Sequence, residues 1–270
     1  MLRILCAWDP DLSVLIGCAL LVAAYSAAHL HDFDRAPWFG AGVVVMLLAL
    51  ISPIDVLADE YLFSAHMMQH LLLVLAVPPL LLMGITPRFA RLIVGHRQLG
   101  AFERILGTGV IAWTIGVGIL VLWHVPALFD AALNNEYIHI VEHLCFLVSA
   151  TVLWWPVFGP LPECRFTPLW MQLYLLGAAM ANSLLGIWLT FAPAGIYTLY
   201  PNGSDPLDLT EVLRSTWGLT PAVDQQMGGL LMWVGGGVVF GGLMAVKIVR
   251  WFGTADPDEN EESPFPVSNR

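Results

Sequence analysis

The chain has 270 residues, of which 58% are apolar and 12% charged; 11 basic and 21 acidic residues give a formal charge of −10, and the mean hydropathy is +0.74. Soluble domains carry about 25% charged residues, so the composition argues against a water-solvated enzyme, and the acidic balance argues against a nucleic-acid binder, which selects basic surfaces. The cysteines, Cys6, Cys18, Cys145 and Cys164, lie too far apart for a CxxC pair, a zinc ribbon or a disulfide framework.

A membrane-crossing helix needs about 20 largely apolar residues. Seven stretches meet that need, near 12–30, 38–54, 61–84, 108–128, 137–158, 168–192 and 227–250. The expected fold class is all-α: an integral membrane bundle of seven transmembrane helices over residues 1–253, followed by an acidic, disordered tail at 254–270. Basic residues fall in alternate connections: Arg35, then Arg88, Arg91, Arg97 and Arg104, then Arg165, then Lys247 and Arg250. The other connections hold Asp55, Asp59 and Glu60, then Asp130 and Glu136, then Asp205, Asp208, Glu211 and Asp224, with Arg214 as their positive group. Positive charge stays on the cytoplasmic side, so the N-terminus is expected outside and the C-terminus inside.

In chain order, the flank Trp8-Asp9-Pro10-Asp11 is acidic, which argues against reading span one as a cleaved leader. His29 and His31 close that span at its inner end. Span three opens with Ser64-Ala65-His66-Met67-Met68-Gln69-His70, and carries Pro78-Pro79 in its inner half, where a kink is expected. His96 lies in the basic loop that follows. Span four ends at Trp123-His124-Val125-Pro126, with a kink or early stop expected at the proline. Span five opens Tyr137-Ile138-His139-Ile140-Val141-Glu142-His143, and span six carries Asn182 and Ser183 near mid-membrane, suited to bridging helices by hydrogen bonds. The long connection 193–226 is expected outside the bilayer as a lid. Span seven begins after Asp224-Gln225-Gln226-Met227 and contains the Gly237/Gly241 pair, a close-packing signal.

Ionisable groups inside a membrane are costly and mark function. His66 and His70 are four apart on one helix face, and so are His139 and His143; each pair can chelate an ion. At a rise of about 1.5 Å per residue, His66 and His70 lie roughly 8 and 13 Å below the outer boundary, His124 about 8 Å, His139 and His143 about 3 and 9 Å, and Met227 and Met232 about 2 and 9 Å. One layer thus receives imidazoles or thioethers from four helices distant in sequence. Methionine in such places ordinarily fills core gaps, but Met227 begins a helix beside the charged Asp224. The expected ligands are His66, His70, His139 and His143, with His124 and Met227 adjacent or exchangeable, and with Glu142 and Asp224 in support. Glu142 is expected to orient His143 or His139 from behind. Imidazole with optional thioether and no thiolate cluster suits copper, Cu(I) or Cu(II), better than structural zinc or the oxygen-rich calcium and magnesium sites. The acidic outer connections would concentrate cations over this layer.

The histidine segment of span three followed by Pro78-Pro79-Leu80-Leu81-Leu82-Met83-Gly84, then Trp123-His124-Val125-Pro126-Ala127-Leu128-Phe129-Asp130, then Glu142-His143 leading to Trp154-Trp155-Pro156, then Asp224-Gln225-Gln226-Met227-Gly228-Gly229, together resemble the multi-span CtaG-type cytochrome c oxidase assembly factors. The resemblance covers about residues 10–250. It implies a non-enzymatic, multi-pass protein of the bacterial plasma membrane that supplies copper to a haem-copper oxidase. The implied partners are oxidase subunits and the lipid bilayer, with a periplasmic copper chaperone and a second copy of the chain as further candidates. The paired-cysteine motif of the unrelated single-span copper chaperones has no counterpart here. Two other functions use the same histidines: a single-haem membrane cytochrome, with haem ranked below copper, and a copper transporter, which would need ligands continuing inward.

Overall fold

The apolar stretches fold into helices whose starts are set largely by proline. The computed structural model describes residues 6–28, 34–94, 108–161, 165–198 and 205–253, together with Ile4 and Tyr200. Its principal helices are α1 (Leu12–Ala28), α2 (Ala36–Ile51), α3 (Pro53–Glu60), α4 (Phe63–Gly84), α5 (Pro87–Val94), α6 (Gly109–Trp123), α7 (Pro126–Leu133), α8 (Glu136–Phe158), α9 (Pro168–Phe191) and α10 (Pro221–Gly253). Proline occupies the first or second position of α2, α3, α7, α9 and α10, where its fixed φ suits a helix and its missing N–H would have had no partner. Side chains cap several of these ends: Ser52 Oγ accepts from Ile54 N, Asn135 Oδ1 from Tyr137 N and Ile138 N, and Thr220 Oγ1 from Val223 N.

Among the described residues all regular structure is helical, so the chain is an all-α, multi-pass membrane protein. Four helices, α4, α8, α9 and α10, are each long and apolar enough to cross a bilayer. Two bent pairs raise the number to six: α2 with α3 at 42°, and α6 with α7 at 71°. The apolar α1, at 17 residues, is shorter.

Two expected boundaries are corrected. Asp55, Asp59 and Glu60 were expected in a connection, but the chain turns at Ser52 and continues helically to Glu60. Ser52 and Pro53 form a new helix start, which is why the backbone stays helical there. Span four ends at Trp123 rather than near 128, and α7 leaves from Pro126, the break expected at that proline.

The kink expected at Pro78-Pro79 takes another form. The turn Leu72–Ala76 is π-helical, and α4 continues through it to Gly84. Pro78 has no N–H for the carbonyl of Val74, and the indole N–H of Trp154 donates to that oxygen instead, at 2.7 Å. The same device recurs at Pro53. The carbonyl four residues earlier, Ala49, accepts from Gln69 Nε2 at 3.1 Å. Each proline thereby creates an acceptor that ties α4 to a neighbour, α8 in one case and α2 in the other.

Close helix contact also occurs at glycines other than the expected pair. A Cβ on Gly186 or Gly229 would collide with the backbone across the α9–α10 contact, and one on Gly236 would meet Asn182. Gly237 and Gly241 face open space. The reason is helical phase: Gly229, Met232, Gly236 and Phe240 share the buried face of α10, and Gly237 is turned about 100° away. Asn182 bridges helices as expected, donating to the carbonyl of Met232 at 2.6 Å within the π-helical turn Leu231–Gly235.

The largest core cluster joins Phe63, Met67, Phe146, Trp154, Leu175 and Met232, and a second packs α1 and α2 against α4 through Tyr25, Phe39, Met46 and Val77. Apolar residues such as Val148, Leu184, Val238 and Val249 face outward, as a lipid-contacting surface requires. His29, His31, His96, Cys164 and the tail from 254 lie outside the described residues.

Candidate metal centre

Helical pitch puts His66 and His70 on one side of α4, and the start of that helix is held from a distance. No side chain of its own caps it. Asp224, in the first turn of α10, accepts the backbone N–H of Phe63 at 2.8 Å and of Ser64 at 3.0 Å, and the Ser64 hydroxyl at 2.5 Å. A buried carboxylate at a helix N-terminus satisfies donors that lack an intrahelical partner and complements the positive end of the dipole. Gln69 completes the anchoring by also donating to Asp55 Oδ1 at 2.6 Å.

From this fixed helix two imidazoles meet two more from α8. Ring centroids lie 4.2 Å apart for His66–His70, 4.2 Å for His139–His143, 5.4 Å for His66–His139 and 5.8 Å for His70–His143. His124, at the end of α6, is 6.0 Å from His70. Its Nδ1 lies 2.7 Å from the carbonyl of Leu120, which can only accept, so Nδ1 carries the proton and Nε2 presents a lone pair. The five histidines expected in one layer therefore stand together.

Glu142 behaves differently from its expected role behind His143 or His139. One residue along α8 is about 100° of rotation, which turns Glu142 toward His70, whose Nε2 lies 3.8 Å from Oε1. Glu142 thus stands among the imidazoles, with its carboxylate toward His70. Met227 is also placed elsewhere than expected: it is 41% exposed on α10. Asp224 supports the cluster at one remove, through the N-terminus of α4.

Two groups bring ligand atoms within 4.8 Å of one another: His66, His70 and Glu142, all buried, and Asp59, His66 and His139. Donors on opposite sides of a first-row ion sit about 4.2 Å apart, so modest side-chain motion closes either group on an ion. The donors are also unspent. Both nitrogens of His66 and His70, Nε2 of His124, His139 and His143, and both oxygens of Glu142 are buried without a hydrogen-bond partner. Each such group costs about 1–3 kcal/mol to bury, and an imidazole–carboxylate set of this kind fits a transition-metal cation. Asp59 was not among the expected site residues. Its signal was the Ser52-Pro53 helix start, which puts Asp55 and Asp59 four apart on one face of α3.

Aromatic rings close the cluster on two sides. Phe129 lies edge-on to His66 at 5.0 Å and packs under Tyr197 at 4.1 Å, and Phe146 lies 4.5 Å from His70. The long connection before α10 thus does reach the bundle. The phenol of Tyr197 donates to the carbonyl of His124 and that of Tyr200 to the carbonyl of Ala58. A third side is open: a cleft of about 640 Å³ between α1, α2, α3 and α8 reaches His139 and His143, with Asp9, Asp11, Asp55, Asp59 and Glu136 in its lining.

Comparison with known proteins adds a family. A profile described as cytochrome c oxidase caa3 assembly factor (Caa3_CtaG) matches residues 16–254. No curated protein and no solved structure matches the chain. The match spans most of the sequence and includes every residue of the histidine cluster: the chain belongs to the cytochrome c oxidase caa3 assembly factor family.

Proposed function

We propose that this assembly factor spans the bacterial plasma membrane seven times, with its N-terminus outside, holds copper at the histidine cluster near the outer face, and passes it to oxidase subunits during assembly. The family supplies the pathway. One observation supports the metal: buried donors with no other partner converge from α4 and α8, elements far apart in sequence. His66, His70 and Glu142 form the deepest ligand set, with His139 and His143 on the cleft side and His124 adjacent. α1 serves as the first span, the bent pairs α2–α3 and α6–α7 serve as the second and fourth, and Arg88, Arg91, Arg165 and Arg250 then face the cytoplasm.

The protein's part in this function is to orient and shield. Asp224 and Gln69 fix α4, the Leu120 carbonyl fixes the His124 tautomer, and Phe129, Tyr197 and Phe146 keep water from two sides. Bound copper supplies the cargo, and no catalytic step on a substrate is called for. Holding suits the geometry better than transport, because below His70 the buried residues of α4, from Leu73 through Val77 and the Pro78-Pro79 pair to Leu82 and Gly84, offer no ligand side chain, and the amide of Asn182 is engaged with Met232. A single haem between α4 and α8 is disfavoured, because His66 and His139 stack 5.4 Å apart and Phe129 and Phe146 pack beside the rings.

The test is replacement of His70 or His143 by alanine in the full chain. Copper retention after purification is expected to be lost with membrane insertion intact; unchanged copper content in both variants would remove the site.

A further inference from the structure

The deep ligand set is not the whole arrangement. Asp59, His66 and His139 form a second group that shares one residue with it and opens on the acidic cleft. The cleft group is the more exposed: the side chain of Asp59 is 37% exposed and that of His139 14%, against 2% for His70 and 0% for Glu142. Asp59 Oδ2 lies 3.8 Å from His139 Nδ1, beyond hydrogen-bond length yet near the spacing of two donors on one ion. Asp59 Oδ1 and His139 Nε2 are buried without partners, and His66, fully buried between the two groups, has both ring nitrogens free of hydrogen bonds.

We propose that Asp59, His139 and His66 make up a cleft-facing metal station, which captures a divalent transition-metal cation and delivers it inward by exchange of ligands. This rests on the metal-holding role given to the cluster above. His66 belongs to both groups and stays on the ion through one nitrogen while the other two ligands exchange. The ion leaves a carboxylate and one imidazole at the cleft for a carboxylate and one imidazole inside. Its charge is met by one acidic group at each stop, Asp59 and then Glu142. No electron moves, and no bond other than metal–ligand bonds forms or breaks. Hard carboxylate with borderline imidazole suits Cu(II). Asp9, Asp11, Asp55 and Glu136 line the approach and raise the local cation concentration without ligating.

The two stations predict different defects. In the full chain, purified in detergent and stripped of metal, uptake of Cu(II) is followed by stopped flow and final content by elemental analysis. Asp59→Asn is expected to slow loading by about ten-fold or more while the final content stays at the wild-type level. Asp59→Glu, which keeps a carboxylate, is expected to recover part of the rate. The defect is expected to persist at roughly 1 M salt, where the Debye length falls to about 3 Å and simple charge steering disappears. His70→Ala is expected to show the opposite pattern, normal initial capture and poor retention. Asp59→Asn loading at the wild-type rate, a defect that vanishes at high salt, or no recovery in Asp59→Glu would each overturn the relay and leave the deep site standing. A wild-type protein that takes up no Cu(II) would overturn the relay, and one that takes up neither Cu(II) nor Cu(I) would overturn the deep site as well.

Discussion

Asp224 accepts the backbone N–H of Phe63 across 161 residues of sequence, so the first turn of α10 acts as the N-cap of the helix that carries His66 and His70. Removing the carboxylate strands the amides of Phe63 and Ser64 in a buried site. Asp224→Ala is expected to destabilise the protein by about 2–3 kcal/mol, and Asp224→Asn, which keeps an acceptor, by less. Thermal unfolding in detergent checks the order, and copper retention is expected to fall in parallel.

Glycine positions on α10 separate packing from exposure. Gly229→Ala or Gly186→Ala forces α9 and α10 apart, with an expected cost of about 1–3 kcal/mol. Gly237→Ala and Gly241→Ala have open space around the new methyl and are expected to be neutral or slightly stabilising. Comparison of the four unfolding midpoints tests which face packs.

Trp154→Phe leaves the carbonyl of Val74 without its indole donor beside Pro78. The expected cost is about 1–2 kcal/mol, with copper content unchanged, because the bond lies in the apolar half of α4 away from the imidazoles. Thermal unfolding and metal analysis of the same preparation read both outcomes.

Cys6 is exposed, free and precedes α1. With the N-terminus outside, a membrane-impermeant maleimide applied to intact cells is expected to label wild type and to leave Cys6→Ser unlabelled. Labelling of Cys6 only after lysis would reverse the topology.

Sequence periodicity reached the cluster because it depends on local facts. His66/His70 and His139/His143 sit four apart, and the rise per residue sets their depth. What periodicity along one helix leaves open is rotation between helices. Met227 shares the depth of the histidines, but the buried phase of α10 runs through Asp224, Gly228 and Met232, which leaves Met227 exposed. Glu142 neighbours His143 in sequence and faces His70 in space. Asp59 was hidden by its reading as a loop charge, and Tyr197 and Tyr200 by a connection whose path depends on tertiary contacts with His124 and Ala58. Counting apolar stretches gave the helices, whereas the Ser52 and Pro126 breaks give four to six spans by length and composition.

Copper-edge X-ray absorption on the purified, copper-loaded protein tests the central claim most directly. Nitrogen and oxygen ligands with the multiple scattering of imidazole are expected, and that signal is expected to vanish in the His66→Ala/His70→Ala variant. A sulfur-dominated coordination shell, or an imidazole signal that survives the double replacement, would contradict it.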